Sequence, residues 1–295
     1  MRIEHGAGII AALDQSGGSI PVALGLYGVP SDRHSTADEL LEQIHAMRAR
    51  ILRSPAFSSD HVIGTILFRE SLAREINGKP IPRMLWEDRG IVPFLKIDDG
   101  LDARHNDVQL LKPIPDLDAR LELARAAGIY GTKKRSVIHD ANRAGVEAIV
   151  GQQFQLGRQI LQAGLVPILE PEVSIVSDRK SEAEALLREA LQRHLDSLAP
   201  DQRVVLKLSL PNEDGFYDGI AAHPNVLRIA ALSGGYSQDD ACARLARHPR
   251  MIASFSRALV EGLSQQQTDA EFDQKLAATI ARLKAPAAPP ERRAP

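Results

Sequence analysis

Lys207 sits in Arg203-Val204-Val205-Leu206-Lys207-Leu208-Ser209-Leu210-Pro211, an apolar run ended by proline. Such a run reads as a buried strand. An ammonium inside it is costly. The cost falls if the amine is neutral, and a neutral amine attacks carbonyl carbon. The plainer reading is a lysine that snorkels from a strand end to water. A second pair of groups closes another apolar run, Leu165-Val166-Pro167-Ile168-Leu169-Glu170-Pro171-Glu172. Residues two apart on a strand share a face. Glu170 and Glu172 so placed raise one another's pKa and provide a proton carrier near neutral pH. The competing reading is a surface pair bracketing a turn proline.

Other charges and glycine turns follow apolar runs in the same way. Asp14 ends one run and leads into Gln15-Ser16-Gly17-Gly18-Ser19, while Lys96 ends another. Lys133-Lys134-Arg135 precedes a third, and Ser254-Phe255-Ser256-Arg257 follows Met251-Ile252-Ala253. Ser233-Gly234-Gly235, between a run and a capped helix, can turn backbone N–H groups towards an anion. Arg257 could add a guanidinium fork to the same phosphate. Ser16, Ser19 and Lys96 could hold a second phosphate across the mouth. Taken singly, each glycine turn is equally well explained by strand-to-helix geometry.

The elements that must carry these groups are short. Eight apolar runs, Gly8–Asp14, Val62–Phe68, Ile91–Lys96, Arg135–His139, Leu165–Glu170, Val204–Ser209, Val226–Leu232 and Met251–Phe255, alternate with amphipathic helices. Thr36-Ala37-Asp38-Glu39 is a capping box ahead of Leu40, Ile44, Met47 and Ile51. Asp116, Ser181, Ser237 and Thr268 are expected to cap further helices, the last with Phe272, Leu276, Ile280 and Leu283 on one face. Strands alternating with helices imply a parallel sheet. Eight such units over ~250 residues predict an α/β fold, a single-domain (β/α)8 TIM barrel spanning 1–284. An open doubly wound sheet is the alternative. In a parallel barrel the strand C-termini share one rim, which would gather all the groups above. Residues 285–295, rich in proline and alanine, are expected to form a disordered tail.

Composition removes several classes. The chain has 295 residues, 44% hydrophobic and 25% charged, with a formal net charge of -2. Neither a global field nor a basic stripe with aromatics favours nucleic acid. No apolar run approaches the ~18 residues of a membrane helix, and Ile9-Ile10-Ala11-Ala12-Leu13 is too short for a signal peptide. The expectation is a cytoplasmic protein, with no membrane or nucleic-acid partner and room for a homo-oligomer. One cysteine, Cys242, excludes an intrachain disulfide, and Cys/His metal spacing is absent. Gly6-Ala7-Gly8-Ile9-Ile10-Ala11 matches a dinucleotide fingerprint but precedes its strand instead of following it. No metal and no cofactor is expected.

In order along the chain, seven segments resemble the class I, Schiff-base fructose-1,6-bisphosphate aldolase family: Ala11–Ile20, Gly90–Lys96, Lys133–Arg135, Leu165–Glu172, Leu206-Lys207, Leu232–Gly235 and Ser254–Leu259. The length is nearer the shorter bacterial-type members. The resemblance implies a metal-independent lyase acting on a sugar phosphate in glycolysis and gluconeogenesis. It implies that Lys207 forms the imine and that Glu170 is the acid/base for carbinolamine dehydration. Asp14 would deprotonate the sugar hydroxyl, Lys133 would stabilise charge and Glu172 would tune the cluster. Ser233, Gly234 and Arg257 would hold the C1 phosphate, Gly235 and Ser254 are further candidates for binding substrate phosphate, and Ser16, Ser19, Lys96 and Arg135 would bind near the C6 phosphate. Animal members end in a tyrosine that moves the enamine proton, whereas Pro289–Pro295 contains none. Lys134 and Phe255 replace expected aromatics, and Ser256 replaces an expected glycine. The alternatives are another Schiff-base barrel, such as a deoxyribose-phosphate aldolase or transaldolase, and a non-catalytic barrel scaffold.

Overall fold

The computed structural model describes residues 2–30 and 36–284. Eight parallel strands lie in chain order in one sheet: β1 (Ile9–Leu13), β2 (Val62–Leu67), β3 (Val92–Lys96), β4 (Gly131–Ile138), β5 (Val166–Val173), β6 (Val204–Ser209), β7 (Val226–Leu232) and β8 (Met251–Ala253). The helices of two turns or more are α1 (Ser19–Leu26), α2 (Ala37–Arg53), α3 (Leu117–Ala126), α4 (Arg143–Gln162), α5 (Lys180–Asp196), α6 (Gln238–Leu245) and α7 (Asp269–Lys284). This is the expected (β/α)8 barrel.

Period-two alternation builds its interior. Ile10 and Ala12 of β1, Val92 and Phe94 of β3, Ile168 of β5, Val205 of β6 and Ile252 of β8 pack together inside the barrel. Ile3, from the helical turn Arg2–His5, closes the floor of this cluster. Gly131 makes room for it, since a Cβ there would lie 2.8 Å from the Phe94 ring and 2.1 Å from the Val166 carbonyl. One or two steps further along the same faces stand Asp14, Lys96, Lys133, Arg135, Glu170, Glu172, Lys207 and Ser254. The barrel is thus apolar at its floor and charged at its rim. A larger apolar layer packs the outer strand faces against the helices.

Helix starts follow the sequence unevenly. Thr36 and Glu39 form the reciprocal capping box of α2, and Thr268 and Glu271 form one at α7. Ser237 caps α6 through the Asp240 N–H. Asp116 makes no cap hydrogen bond and instead pairs with Arg120 at 2.8 Å. Ser181 lies inside α5, where its hydroxyl accepts from Asn212, so it is not a cap.

Three features of the sheet differ from expectation. β4 begins at Gly131, so Lys133, Lys134 and Arg135 are strand residues and not a prelude to one. Their unbroken charge hides an alternation, because the two odd-numbered cations face the rim and Lys134 faces the helices. β5 runs through Pro171 to Val173. Its pairing with β6 ends at Leu169–Leu206, so Pro171 lies where that edge is already free, as proline requires. Above this point the Ser209 hydroxyl takes over, accepting from Val173 N–H and donating to its carbonyl at 2.9 and 2.7 Å. Finally, among the described residues no ladder joins β8 to β1.

Candidate active site

Five strands bring one charged cluster together. β6 contributes Lys207, β5 Glu170, β4 Lys133, the end of β1 Asp14, and β3 Lys96. Lys207 Nζ lies 2.9 Å from Glu170 Oε1. Lys133 Nζ lies 3.0 Å from Glu170 Oε2 and 2.6 Å from Asp14 Oδ2. The chain of charges Lys207–Glu170–Lys133–Asp14 is therefore continuous, and every member is buried. At that depth a charge persists only when an opposite charge answers it.

The fields inside the cluster follow from this alternation. Burial pushes the Asp14 carboxyl up, but Lys133, Lys207 and Lys96 together hold it well below the usual carboxylate range. Burial likewise opposes ionisation of Glu170, and Lys133 and Lys207 more than offset it, so its pKa is lowered. Burial lowers Lys133, while Asp14, Glu170 and Asp98 raise it overall. The expected elevation of the Glu170 pKa is thus overturned. The two carboxylates do share a face, but each meets its own cation, Glu172 pairing with Arg135.

Around the cluster opens a cavity of about 680 Å³. It is lined by every residue expected to act, Lys207, Glu170, Asp14, Lys133, Glu172, Ser16, Ser19, Lys96, Arg135, Ser233, Gly234, Ser254 and Arg257, with the exception of Gly235. Gly235 sits just behind, where a Cβ would be 3.6 Å from an Arg257 guanidinium nitrogen. Gly234 and Gly235 have φ of +60° and +125°, and a Cβ on Gly234 would approach Ile175 to 2.7 Å, so this turn needs glycine. Among the described residues the buried Ser254 hydroxyl has no protein partner, and Arg257, exposed beside it, has no ion pair. Opposite, the Ser19 hydroxyl accepts from Ser16 N–H and donates to its carbonyl, holding a tight turn at the rim.

Several groups were invisible in the sequence. Asp98, buried just beyond β3, takes Lys96 Nζ at 2.6 Å and the backbone N–H of Arg135 at 3.3 Å. Arg48 of α2 donates to the Gln15 carbonyl, and Gln15 Nε2 donates to Ser256 Oγ at 2.9 Å, tying the rim of β1 to that of β8. Burial lowers the Arg48 pKa to about 10, with Asp14 and Glu70 opposing it. Arg69 and Asp99 also line the cavity. Arg69 and Asp98 do lie just past apolar runs, but neither carries a motif of its own, and Arg48 stands on a helix, so contact in space is what reveals them.

A lysine on a barrel strand, in contact with a buried carboxylate and facing a phosphate-sized glycine turn, defines an imine-forming barrel lyase as a class. A class-I fructose-bisphosphate aldolase family profile matches residues 2–210. The chain is 52% identical over 282 residues to the class 1 fructose-bisphosphate aldolase of Synechocystis, covering 96% of this chain and 94% of that one. It is 50% identical over 279 residues to the enzyme of that name from Porphyromonas gingivalis (95% and 94% covered). With that from Clostridium acetobutylicum it shares 49% over 279 residues (95% of each). The fructose-bisphosphate aldolase of Plasmodium falciparum, solved with TRAP and an inhibitor, superposes with a TM-score of 0.79 at 18% identity, over 97% of this chain and 92% of that one, a likeness of fold. The chain belongs to the class-I fructose-bisphosphate aldolase family.

Proposed function

We propose that this protein reversibly cleaves fructose 1,6-bisphosphate to dihydroxyacetone phosphate and glyceraldehyde 3-phosphate through an imine on Lys207. The observation that carries this is the 2.9 Å contact between Lys207 Nζ and Glu170 Oε1 inside the buried cluster. Glu170 takes a proton from Lys207, freeing the amine to add to the C2 carbonyl. It then returns a proton to the departing hydroxyl as the carbinolamine loses water. The protonated imine is a stronger electron sink than the ketone. When Asp14 accepts the C4 hydroxyl proton, the C3–C4 pair flows into the imine as an enamine, and the aldehyde leaves. Lys133, 2.6 Å from Asp14 and 3.0 Å from Glu170, holds both carboxylates in place and balances their charge. Glu172, paired with Arg135, shapes the wall beside Glu170.

Ser233, Gly234, Gly235, Ser254 and Arg257 are assigned to the C1 phosphate, because unpaired donors and a glycine turn converge there. The Ser16–Ser19 turn, Lys96 and Arg135 are assigned to the C6 end. Two anchors fix the scissile bond over the cluster, which is the positioning part of the catalysis. No described helix is long and apolar enough to cross a membrane, and Cys242 is free and buried. Membership of the family supports a place in glycolysis or gluconeogenesis, and the reading is completed by a cytoplasmic location and a catalytic unit formed by the barrel of residues 1–284.

Borohydride trapping with dihydroxyacetone phosphate tests the reading. The expected result is a reduced adduct on Lys207, formed equally with and without EDTA. Lys207→Ala should remain folded and lose cleavage. Wild-type turnover in that variant, or no adduct on the native protein, would sink the imine mechanism.

A further inference from the structure

The rim between the Ser16–Ser19 turn and Lys96 holds a cation that no motif pointed to. Arg69 follows Phe68 directly after β2, and the strand order places it between the loop after β1 and the end of β3. Lys96, which the sequence suggested as the phosphate cation here, is already neutralised. Its Nζ lies 2.6 Å from Asp98, a buried carboxylate that accepts from Gly100 and Arg135 N–H as well.

Arg69 is differently placed. Its one ion pair among the described residues is with Asp99, at 3.0 Å, and its side chain is 42% exposed. Asp99 is shared. Both of its oxygens are met by Arg120, at 3.0 and 2.6 Å. Arg120 is anchored in turn by the Ile97 carbonyl at 2.7 Å, and its side chain is only 12% exposed. Arg120 is therefore the fixed partner of Asp99, and Arg69 keeps most of its donor fork for another anion. The fork faces the cavity beside the Phe68 ring, which also borders Lys96.

We propose that Arg69 binds the C6 phosphate and makes the enzyme prefer ketose 1,6-bisphosphates over ketose 1-phosphates. A phosphate of charge about −1.5 to −2 presents three acceptor oxygens to a planar fork. It displaces a single contact to a carboxylate that Arg120 already satisfies. The Ser16–Ser19 turn lines the same cavity and would border that phosphate. This proposal rests on the aldolase reading above and adds to it the residue that reads the far end of the substrate.

The test is steady-state cleavage of fructose 1,6-bisphosphate and of fructose 1-phosphate by the wild type, Arg69→Ala and Arg257→Ala. For Arg69→Ala we expect KM for the bisphosphate to rise about tenfold or more, as loss of a charge-assisted contact implies. Its kinetics with fructose 1-phosphate should not change. Arg257→Ala should impair both substrates, since both carry the C1 phosphate. Equal effects of Arg69→Ala on the two substrates, or none on either, would overturn the assignment while leaving the aldolase reading intact. A wild type that cleaves neither sugar would overturn both. Arg69→Lys, which retains the charge beside Asp99 but not the fork, gives the same comparison if the alanine variant does not fold, with a smaller rise in KM expected for the bisphosphate alone.

Discussion

At the scale of single residues the site is a row of alternating charges, and each member depends on its neighbour. Glu170 touches Lys207 on one side and Lys133 on the other, which keeps it ionised in the resting enzyme and ready to accept the lysine's proton. Glu170→Gln keeps the shape but cannot carry the proton. It should lower kcat by roughly 10² to 10⁴-fold, slow the appearance of the borohydride-trapped adduct, and leave KM near the wild-type value. An unchanged kcat would remove Glu170 from the proton path. Within this row the sequence misrepresents Glu172, which reads as a partner of Glu170 and is in fact the partner of Arg135.

At the scale of elements, β4 carries an unexplained lysine among useful ones. Lys133 and Arg135 face the rim and meet carboxylates, whereas Lys134 points to the α4 side and is fully buried, with Nζ unpartnered among the described residues. Burial pushes its pKa down to about 7, with distant help from Asp98 in the other direction. The unfolded chain therefore binds more protons than the native one between about pH 7 and 10.5, so stability rises with pH across that window. Below pH 7 the full penalty for burying the charge applies. Lys134→Leu should raise stability at pH 7 by on the order of 1–3 kcal/mol, since a well-packed apolar side chain replaces an unpaired buried cation. It should also flatten the rise towards alkaline pH. Urea denaturation of both proteins at pH 7 and 9.5 checks this. Equal stability at pH 7 would mean that the amine has a partner in solution.

Viewed whole, the barrel has a seam. β8 is three residues long and, among the described residues, pairs only with β7, through Ile229–Met251 to Ala231–Ala253, with no ladder continuing from it to β1. What joins the two at the rim is the side-chain bridge from Arg48 through Gln15 to Ser256. β4 and β5, by contrast, pair over eight residues from Gly131–Val166 to Ile138–Val173. Native-state hydrogen exchange should therefore release the amides of Met251–Ala253 before those of β4 and β5, because local opening begins where few ladder bonds hold. Uniform protection around the barrel would show that the seam is as stable as the ladders. The same seam sets Asp14, just past the end of β1, against the short helical turn after β8 that begins at Arg257, so its opening would loosen the catalytic and the phosphate elements together.

The strand count, the parallel sheet and the rim composition were all legible in the chain, because each depends on local patterning. Apolar runs of strand length, helix-period faces and terminal charges are encoded within a few residues of one another. Pro171 inside β5, the strand identity of Lys133-Lys134-Arg135 and the failed caps at Asp116 and Ser181 were not legible. In each, a tertiary neighbour overrides the local preference: a missing β6 rung, a set of carboxylates from other strands, Arg120, and Asn212. Which cation answers which anion was likewise settled only by folding. Lys96 meets Asp98, Arg135 meets Glu172, and Arg69 shares Asp99 with Arg120. Strand patterning dictates which face a side chain takes, but charges pair through space, and the distances between strands exist only once the barrel has closed around its floor.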